Sequence, residues 1–438
     1  MKDLNTIKYL ESLKELGSNY GLDRTERLLE LLGNPHKALK LIHITGTNGK
    51  GSTSVILGNI LMEHGYKIGF FNSPYLEDIE ETIRINNINI QEEELVNLIE
   101  EIKPYINKLI NEGYSHPTEF EVITCIMFLY FYRKKVDFGI IEVGLGGRLD
   151  STNVILPILS IITPISFDHM NILGNTIEEI TREKVEIIKK NIPVVSYFQE
   201  ESVLKIIIEK AIKENSSIAI VNKDKYKFLN IEHGEVVTQN ILAKIKDKDE
   251  VIKLSLLGNH QIINLSLAIE ALLELEGLNY IKLEIDKLKK ATSKIKWKGR
   301  LEILQNNPLI IIDGAHNVSG INCLKDSINQ YFNYNKLFLI LGILKDKEVN
   351  KILKTIIPMA NKIYTVTSNS IRAKDTYELR EEVLKYNSNC IAFENYEEAI
   401  KEVLQDANYE DLILVAGSLY MIGKMRSIIK DINGREMW

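Results

Sequence analysis

The feature that most constrains this chain is a glycine-rich turn between an apolar run and a helical pattern. Residues 41–53 read Leu-Ile-His-Ile-Thr-Gly-Thr-Asn-Gly-Lys-Gly-Ser-Thr. A strand, a glycine loop and a helix in this order wrap a polyphosphate, because backbone N–H groups and the helix N-terminus converge on its oxygens. Lys50 adds a full positive charge, and Ser52 or Thr53 can reach Mg²⁺. We therefore predict an ATP site formed by Thr47, Asn48, Gly49, Lys50, Gly51 and Ser52.

The loop departs from the usual P-loop pattern at two positions. Ile44 stands where that pattern has its first glycine, and Gly51 follows the lysine where Ser or Thr is usual. The alternative interpretation is an ordinary glycine-rich turn between a strand and a helix. The strand, the lysine and the hydroxyl together favour the phosphate loop.

Length and charge limit the class of protein. At 438 residues the chain is too long for one typical core, so we expect two domains. Hydrophobic residues make up 45% and charged residues 26%, which is typical of soluble globular proteins. The net charge of −6 argues against a nucleic-acid or membrane-surface partner. Any anionic substrate must therefore be met by a local basic site.

The cysteines and the N-terminus favour a cytoplasmic protein. Cys125, Cys323 and Cys390 lie far apart, which indicates neither a disulfide framework nor a zinc site. Residues 1–5, Met-Lys-Asp-Leu-Asn, have no apolar run behind a basic start, so no secretory signal is expected. The apolar stretch at 123–131 soon reaches Arg133 and is too short to span a membrane.

Strands and helices alternate along the chain, which predicts an α/β fold with a largely parallel sheet. The charged segment 294–300 predicts a boundary between an ATP-binding domain of residues 1–297 and a C-terminal domain of residues 298–438. Residues 222–256 change to short, polar, alternating segments, which indicates a small antiparallel excursion. Predicted strands lie at 41–45, 67–72, 137–143, 159–163, 193–196, 309–313, 337–341, 362–366, 390–393 and 412–415. Predicted helices lie at 50–64, 91–111, 119–133, 176–190, 261–276 and 282–294.

A second glycine cluster follows a predicted strand at residues 140–150, Ile-Ile-Glu-Val-Gly-Leu-Gly-Gly-Arg-Leu-Asp. A carboxylate that leaves a buried strand on the phosphate side can hold Mg²⁺, so Glu142 is the metal candidate. The alternative for Glu142 is a solvated glutamate at the strand edge. His169 follows the next strand in Ser-Phe-Asp-His and is a further candidate ligand, although a lone histidine is more often structural.

Two further segments carry charged residues near predicted element ends. Lys184 lies in a helical pattern with many charges, for which a solvated helix face is the simple interpretation. Asp313-Gly-Ala-His-Asn317 ends a strand of the C-terminal domain. An aspartate there can accept from ribose hydroxyls or an adenine amine, and His316 can approach phosphate. The alternative is a capped turn that opens the following helix.

Taken together, these motifs resemble the folylpolyglutamate synthase and dihydrofolate synthase branch of the Mur ligase family. The resemblance runs from Tyr9-Leu-Glu-Ser-Leu through Gly21-Leu-Asp-Arg to Ala416-Gly-Ser-Leu-Tyr. Thr45-Gly-Thr-Asn-Gly-Lys-Gly-Ser resembles the variant P-loop of that family, which accounts for the departures above. The resemblance implies a P-loop ATPase-like central domain with a mostly parallel sheet and a smaller Rossmann-like α/β C-terminal domain, with the active site between them.

The resemblance also implies roles for individual residues. Arg182-Glu-Lys184 matches the site where the family carbamylates a lysine, which would turn Lys184 into an anion near the metal. Two Mg²⁺ sites are implied, with Ser52, Ser73, Glu142 and His169 as ligands. Catalytic roles are implied for Lys50, Lys184 and His316, and ATP contacts beyond the loop for Asn264, Arg300 and Asp313. Contacts to the pterin or folate are implied for Thr118, Phe120, Glu121, Leu149, Asp150 and Ser151.

Three positions depart from the family pattern without touching a proposed metal or phosphate contact. Tyr75 stands where His is usual, Lys298 where Pro is usual, and Thr82 where an arginine is common. These departures bear on substrate details rather than on the chemistry.

The implied reaction is ATP-dependent addition of L-glutamate to 7,8-dihydropteroate and to tetrahydrofolate polyglutamates through an acyl phosphate, by a monomeric enzyme. The loop at 147–153 resembles that of the members with both activities. Three alternatives stay open: polyglutamylation alone, a cell-wall Mur ligase, and a nucleotide-binding module without catalysis. About forty residues precede the phosphate-loop strand, which leaves little room for the nucleotide-sugar domain of a cell-wall ligase.

Overall fold

A computed structural model describes residues 9, 10, 12, 13, 17, 20–234 and 237–435. Residues 1–5, in which no secretory signal is expected, and Glu11 of the first family motif lie outside the described residues. The described residues form two compact units. The first consists of the residues up to Ile165, Met170–Tyr226 and Ile263–Thr292, and the second of Ser166–His169, Lys227–Ile262 and the residues from Ser293 onward.

The first unit is built on an eight-stranded sheet in the order β4-β3-β2-β5-β1-β6-β7-β8. Strands β2, β5, β1, β6, β7 and β8 are parallel, and β3 and β4 add an antiparallel edge. The strands are β1 Leu41–Thr45, β2 Ile68–Phe71, β3 Ile83–Ile85, β4 Ile88–Asn89, β5 Phe138–Glu142, β6 Leu159–Ile162, β7 Val194–Ser196 and β8 Ile218–Ile220. Strands β1 and β5 are buried along their whole length, as expected for central strands of a parallel sheet.

Helices cover this sheet and contribute to its apolar core. Two of them, α3 Glu92–Asn111 and α4 Glu119–Lys134, contribute much of one continuous buried cluster. Helix α4 begins with a capping box between Thr118 and Glu121, which satisfies two backbone N–H groups at its N-terminus. The other helices of this unit are α1 Asp23–Leu31, α2 Lys50–Glu63, α5 Met170–Leu173, α6 Ile177–Lys184, α7 Glu201–Lys213, most of α8 Asn259–Gly277, and α9 Ile285–Thr292.

The second unit contains a small sheet and a larger one. The predicted antiparallel excursion is confirmed: β9 Tyr226–Glu232, β10 Thr238–Ile245 and β11 Lys248–Leu254 form one sheet, in which β10 and β11 pair antiparallel. The larger sheet has the order β12-β13-β17-β14-β15-β16 and is parallel except for β12. Its strands are β12 Glu302–Asn306, β13 Leu309–Asp313, β14 Leu337–Leu341, β15 Lys362–Val366, β16 Cys390–Phe393 and β17 Leu412–Ala416.

The helices of the second unit pack on the larger sheet around a core of aliphatic residues. They are α10 Val318–Tyr331, α11 Val349–Ile356, α12 Thr376–Val383, α13 Tyr396–Asp406 and α14 Leu419–Arg435. The predicted α/β class with mostly parallel sheets is therefore confirmed. The predicted boundary between residues 297 and 298 lies near Thr292, where the chain leaves the first unit for the last time. The boundary itself stays a prediction.

Candidate functional site

The phosphate loop lies in the first unit, between the buried strand β1 and helix α2. Gly46 has φ 143°, and a Cβ added there would lie 1.9 Å from Thr163 Oγ1, so no larger residue fits. Gly49, with φ 90°, precedes the helix, and a Cβ on it would lie 2.3 Å from Asn264 Oδ1. The predicted ATP residue Asn264 therefore borders the loop. Its side-chain oxygen accepts a hydrogen bond from Thr53, which lies 211 positions away in the sequence. Glycine is required at both positions because the backbone is left-handed or closely approached.

Two lysines and one carboxylate meet at this loop. Lys50 Nζ donates to the carbonyl oxygens of Gly46 and Thr47 at 3.2 and 3.3 Å, and lies 4.0 Å from Glu142 Oε1. Lys184 Nζ donates to Gly46 O at 3.0 Å. The side chains of Glu142 and Lys184 are buried. The interpretation of Lys184 as part of a solvated helix face is therefore wrong, because its amine turns inward to the loop.

The glycine cluster after β5 lies against the same loop. Thr45 Oγ1 donates to Gly146 O at 2.8 Å. Asp150 is buried and accepts hydrogen bonds from the backbone N–H groups of Leu145 and Thr152 at 2.8 and 3.0 Å. Burial raises the pKa of Asp150 in spite of these hydrogen bonds. Leu149 is half-buried and Ser151 buried beside it, so the segment 144–153 has a fixed shape.

Three of the six residues predicted to contact the pterin or folate, Thr118, Phe120 and Glu121, lie at the start of α4. The centroid of the Phe120 ring lies 5.8 Å from that of Phe71 at a tilt of 38°, and a Cβ added to Gly144 would lie 2.6 Å from the Phe120 ring. Glu121 is 1% exposed, and its carboxylate accepts from Arg24 at 2.9 and 3.0 Å and from the backbone of Thr118 at 2.7 Å. Glu121 thus orders this segment, and its contact to folate stays a prediction.

The second unit contains the remaining predicted residues. Asp313 ends β13 and is 5% exposed, and it accepts from the backbone N–H groups of Ala315 and Leu301 at 2.8 and 2.9 Å. A Cβ on Gly314 would lie 2.4 Å from Arg300 Nη1, so Arg300 lies beside the same turn. Burial lowers the pKa of His316 to about 4, and its Nδ1 lies 2.8 Å from Gly314 O. His316 is therefore neutral at physiological pH.

His169 also belongs to the second unit, in a segment fixed by its neighbour Asp168. Lys347 Nζ lies 2.5 Å from Asp168 Oδ1, and Asn317 donates to Asp168 Oδ2 at 3.0 Å. Burial opposes ionisation of Asp168, but Lys347, His169 and His316 together lower its pKa. His169 itself is in the left-handed region at φ 51°, with its side chain 30% exposed.

Comparison with known proteins assigns both units to one family. Residues 44–272 match the Mur ligase middle domain, and residues 299–419 match the domain described as Mur ligase, glutamate ligase domain. A dihydrofolate synthase/folylpolyglutamate synthase of Bacillus subtilis is 37% identical over 421 residues, which cover 95% of this chain and 96% of that protein.

The chain belongs to the folylpolyglutamate synthase and dihydrofolate synthase branch of the Mur ligase family. It is therefore an ATP-dependent ligase. Mycobacterium tuberculosis folylpolyglutamate synthase, solved with ADP and AMPPCP, has a TM-score of 0.88 at 27% identity and covers 98% of this chain and 99% of its own. A folylpolyglutamate synthase complex with AMPPCP and folate has a TM-score of 0.84 at 29% identity and covers 99% of this chain and all of its own.

The donor set of this ligase suits a hard cation. Glu142, Ser52 and Ser73 offer a carboxylate and two hydroxyl oxygens, which are the ligands that Mg²⁺ prefers alongside phosphate oxygens and water. In the part of the chain that the structure describes, no three His, Cys, Asp or Glu side chains converge as a protein-only metal cage. Mg²⁺ is usually bound through one or two carboxylates together with substrate phosphates, so the residues fit the metal.

Several residues of the site were not found from the sequence. Asn72 and Arg84 contact one another behind Glu142, His43 supports the loop at 144–153, and Arg24 holds Glu121. Arg24 ends the family motif Gly21-Leu-Asp-Arg, and Asn72 directly precedes the predicted ligand Ser73, so these neighbours were the available signal. None of the described helices is long and apolar enough to cross a membrane.

Proposed function

We propose that this chain adds L-glutamate to 7,8-dihydropteroate and to tetrahydrofolate polyglutamates at the expense of ATP. The observation that carries the proposal is the meeting of Lys50, Glu142 and Lys184 at the phosphate loop, in a chain whose relatives are named for these two activities. A nucleotide-binding module without catalysis needs the loop but not the buried carboxylate and the second lysine.

The chemistry proceeds in two steps. A carboxylate is a poor electrophile, so its oxygen first attacks the γ-phosphorus of ATP, the bond to the β–γ bridging oxygen breaks, and an acyl phosphate and ADP form. The amine of glutamate then attacks the acyl carbon, and the tetrahedral intermediate loses a proton and phosphate to leave the amide. Lys50 holds the γ-phosphoryl oxygens and stabilises the charge that develops on them, so its role is positioning and electrostatic.

The metal and the modified lysine extend this proposal. Two Mg²⁺ ions would neutralise phosphate charge, with Ser52, Ser73, Glu142 and His169 as the proposed ligands. We propose that Lys184 carries a carbamate, which its match to Arg-Glu-Lys and its buried place at Gly46 support. A carbamate is anionic, and an unmodified ammonium could not attract a cation.

The remaining assignments follow the same family pattern. We propose ATP contacts for Thr47, Asn48, Gly49, Gly51, Asn264, Arg300 and Asp313, and a catalytic role for His316. Pterin or folate contacts are proposed for Thr118, Phe120, Glu121, Leu149, Asp150 and Ser151. The fixed shape of the loop at 144–153 supports a pocket for the acceptor.

The proposed setting is a monomer in the cytoplasm that acts on small molecules, with neither nucleic acid nor membrane as a partner. The cysteines Cys125, Cys323 and Cys390 are free thiols, which is typical of a reducing compartment. The net charge of −6 is unfavourable for nucleic-acid binding.

The test is ADP release by purified protein with glutamate and Mg-ATP, with dihydropteroate and tetrahydrofolate compared as acceptors. We expect glutamate-dependent turnover with both. Turnover with tetrahydrofolate alone would support the folylpolyglutamate synthase activity and refute the proposed dihydrofolate synthase activity. Absence of turnover with either acceptor would overturn the proposal.

A further inference from the structure

A buried line of polar side chains lies behind Glu142 in the first unit. Arg84 Nη2 donates to Asn72 Oδ1 at 2.7 Å, and Asn72 Nδ2 donates to Glu142 Oε2 at 2.9 Å. Asn72 Nδ2 also lies 3.2 Å from Ser54 Oγ in α2. Asn72, Glu142, Arg84 and Ser54 are 5%, 5%, 8% and 0% exposed. The line therefore joins strand β3, the neighbour of β2, to the carboxylate beside the phosphate loop.

Sheet register places Asn72 next to Glu142. Strands β2 and β5 are parallel neighbours in which Phe71 pairs with Ile141, so the residues that follow them leave the sheet side by side. Strand β3 pairs with β2 on the other side, with Arg84 opposite Phe70. The guanidinium lies 4.9 Å from the Phe70 ring, which restricts the arginine side chain.

The arginine determines which way the Asn72 amide points. A guanidinium only donates hydrogen bonds, so the amide oxygen must face Arg84 and the NH₂ group must face Glu142. In a flipped amide the NH₂ group would face the N–H groups of Arg84, and the amide oxygen would face the carboxylate oxygen of Glu142, so neither hydrogen bond could form. Losing both hydrogen bonds in a buried place would leave each of these polar groups unsatisfied, which is unfavourable.

We propose that Asn72 and Arg84 are positioning residues for metal binding, because Arg84 orients the Asn72 amide and this amide holds the Glu142 carboxylate. An amide donor fixes one carboxylate oxygen without cancelling the negative charge, so the carboxylate keeps its attraction for a cation. The inference rests on the proposed role of Glu142 in the ligase reaction. Partners behind metal ligands typically change metal affinity by about 10- to 100-fold when they are removed.

The experiment measures binding of the non-hydrolysable analogue AMPPCP by calorimetry as a function of Mg²⁺ concentration. We expect Asn72→Leu to raise the Mg²⁺ concentration needed for half-maximal enhancement by about 10- to 100-fold. AMPPCP affinity in EDTA should stay within about twofold of wild type, because neither residue is proposed to contact the nucleotide. Arg84→Met should act in the same direction, and Arg84→Lys, which retains a donor, should recover part of the loss.

A structural role alone predicts a different result. Gln239→Leu removes another buried amide, in the second unit, whose side chain bonds Leu256 O, Gly258 O and Tyr331. It should lower the melting temperature without moving the Mg²⁺ dependence. If Asn72→Leu and Arg84→Met behave like Gln239→Leu, the inference is overturned.

One more variant separates this inference from the proposed function. Glu142→Gln should weaken the Mg²⁺ dependence at least as strongly as Asn72→Leu. If Glu142→Gln has no effect, the proposed metal role of Glu142 fails. If Glu142→Gln has the effect and neither Asn72→Leu nor Arg84→Met does, only the positioning role fails.

Discussion

At the scale of single residues, Lys50 is the strongest test of the phosphate loop. Its amine is held by two backbone carbonyls of the loop, and the residue begins α2 outside the buried apolar clusters, so Lys50→Ala removes little core packing. We expect kcat to fall by about 10²- to 10³-fold or more, because one charge-assisted contact in the transition state is lost. The melting temperature should stay near that of wild type. The control is Lys103→Ala, which removes a half-buried lysine of the same unit. Near-normal activity of Lys50→Ala would refute the assignment.

Lys184 tests the proposed modification. We expect Lys184→Ala to be nearly inactive, and short carboxylic acids in the assay should restore part of the rate by replacing the lost anion. A readout independent of turnover is carbon-13 NMR of protein equilibrated with labelled bicarbonate, in which wild type should show a carbamate signal that Lys184→Ala lacks. An identical spectrum for both proteins, with no rescue, would exclude the carbamate.

His43 predicts a pH effect on stability. Thr152 Oγ1 donates to Asp150 Oδ1, so the ring of His43 must donate from Nε2 to Thr152 at 2.9 Å, and its buried Nδ1 has no partner among the described residues. Burial, helped by Lys189, lowers the pKa of His43 to about 3. Between about pH 3 and 6.5 the unfolded state therefore binds a proton that the folded state does not, and stability falls as pH falls.

The His43→Gln variant keeps an N–H donor and removes this titration. In urea unfolding from pH 7 to 4, we expect its free energy of unfolding to fall less steeply than that of wild type, by up to about 1.4 kcal/mol per pH unit. Carboxylates titrate in both proteins and cancel in the comparison. Parallel curves would show that His43 is not held neutral.

At the scale of elements, Gly147 sets the distance between the loop after β5 and the end of α6. A Cβ on Gly147 would lie 2.7 Å from Glu183 O and 2.8 Å from Lys184 O. Gly147→Ala should push the last turn of α6 away and displace the Lys184 amine, so kcat should fall while the fold persists. Gly277→Ala is the matched control, because nothing lies within 4 Å of its added Cβ at the end of α8. The control should be neutral or more stable by about 0.4–1 kcal/mol, and equal activity of the two variants would contradict the prediction.

The elements also show what the sequence could predict. Apolar runs between glycine or charged segments predicted the bounds of the central strands to within one or two residues of those observed. The bounds of β1, β13, β14, β15 and β16 match the prediction. The helix predicted at 176–190 ends at Lys184, and a 3-10 turn follows it. The prediction ran too far because the charged pattern continues past Lys184 with no Gly or Pro to mark the end. Helix α7 and the short strands β3, β4 and β8 were missed, since strands of two or three residues carry little periodicity.

At the scale of the whole molecule, site residues that belong to a short motif could be predicted from the sequence. Contacts between residues far apart in the sequence could not. Lys50 and Glu142 stand directly beside glycine loops. Arg24 and Glu121 are 97 positions apart, and His43 and Thr152 are 109 apart. Local motifs include Arg24 and Glu121 separately, but nothing local in the sequence indicates that the two residues of either pair meet. The contacts appear only when strand order and register are known.

The last prediction concerns the way in which the chain divides into two units. Residues 227–262, which contain most of the excursion predicted at 222–256, precede the proposed boundary at residue 298, yet they belong to the second unit. There Phe228 lies 5.9 Å from the Tyr331 ring, Gln239 accepts from Tyr331 at 2.7 Å, and Leu257 is part of the buried core. A fragment of residues 1–297 keeps the eight-stranded sheet and the apolar core of the first unit. It lacks all the residues after 297 on which the segment 227–262 packs.

We therefore expect the fragment 1–297 to fold around the eight-stranded sheet while 227–262 becomes sensitive to protease. Limited proteolysis followed by mass spectrometry should find cuts within 227–262 in the fragment and none there in the full chain under the same conditions. The apolar side chains of the excursion lose their packing, and local opening then costs little free energy. Cuts spread through the strands of the eight-stranded sheet would mean that the first unit cannot fold without the C-terminal domain, and the proposed boundary would fail. Protection of 227–262 in the fragment would mean that the excursion does not depend on residues after 297.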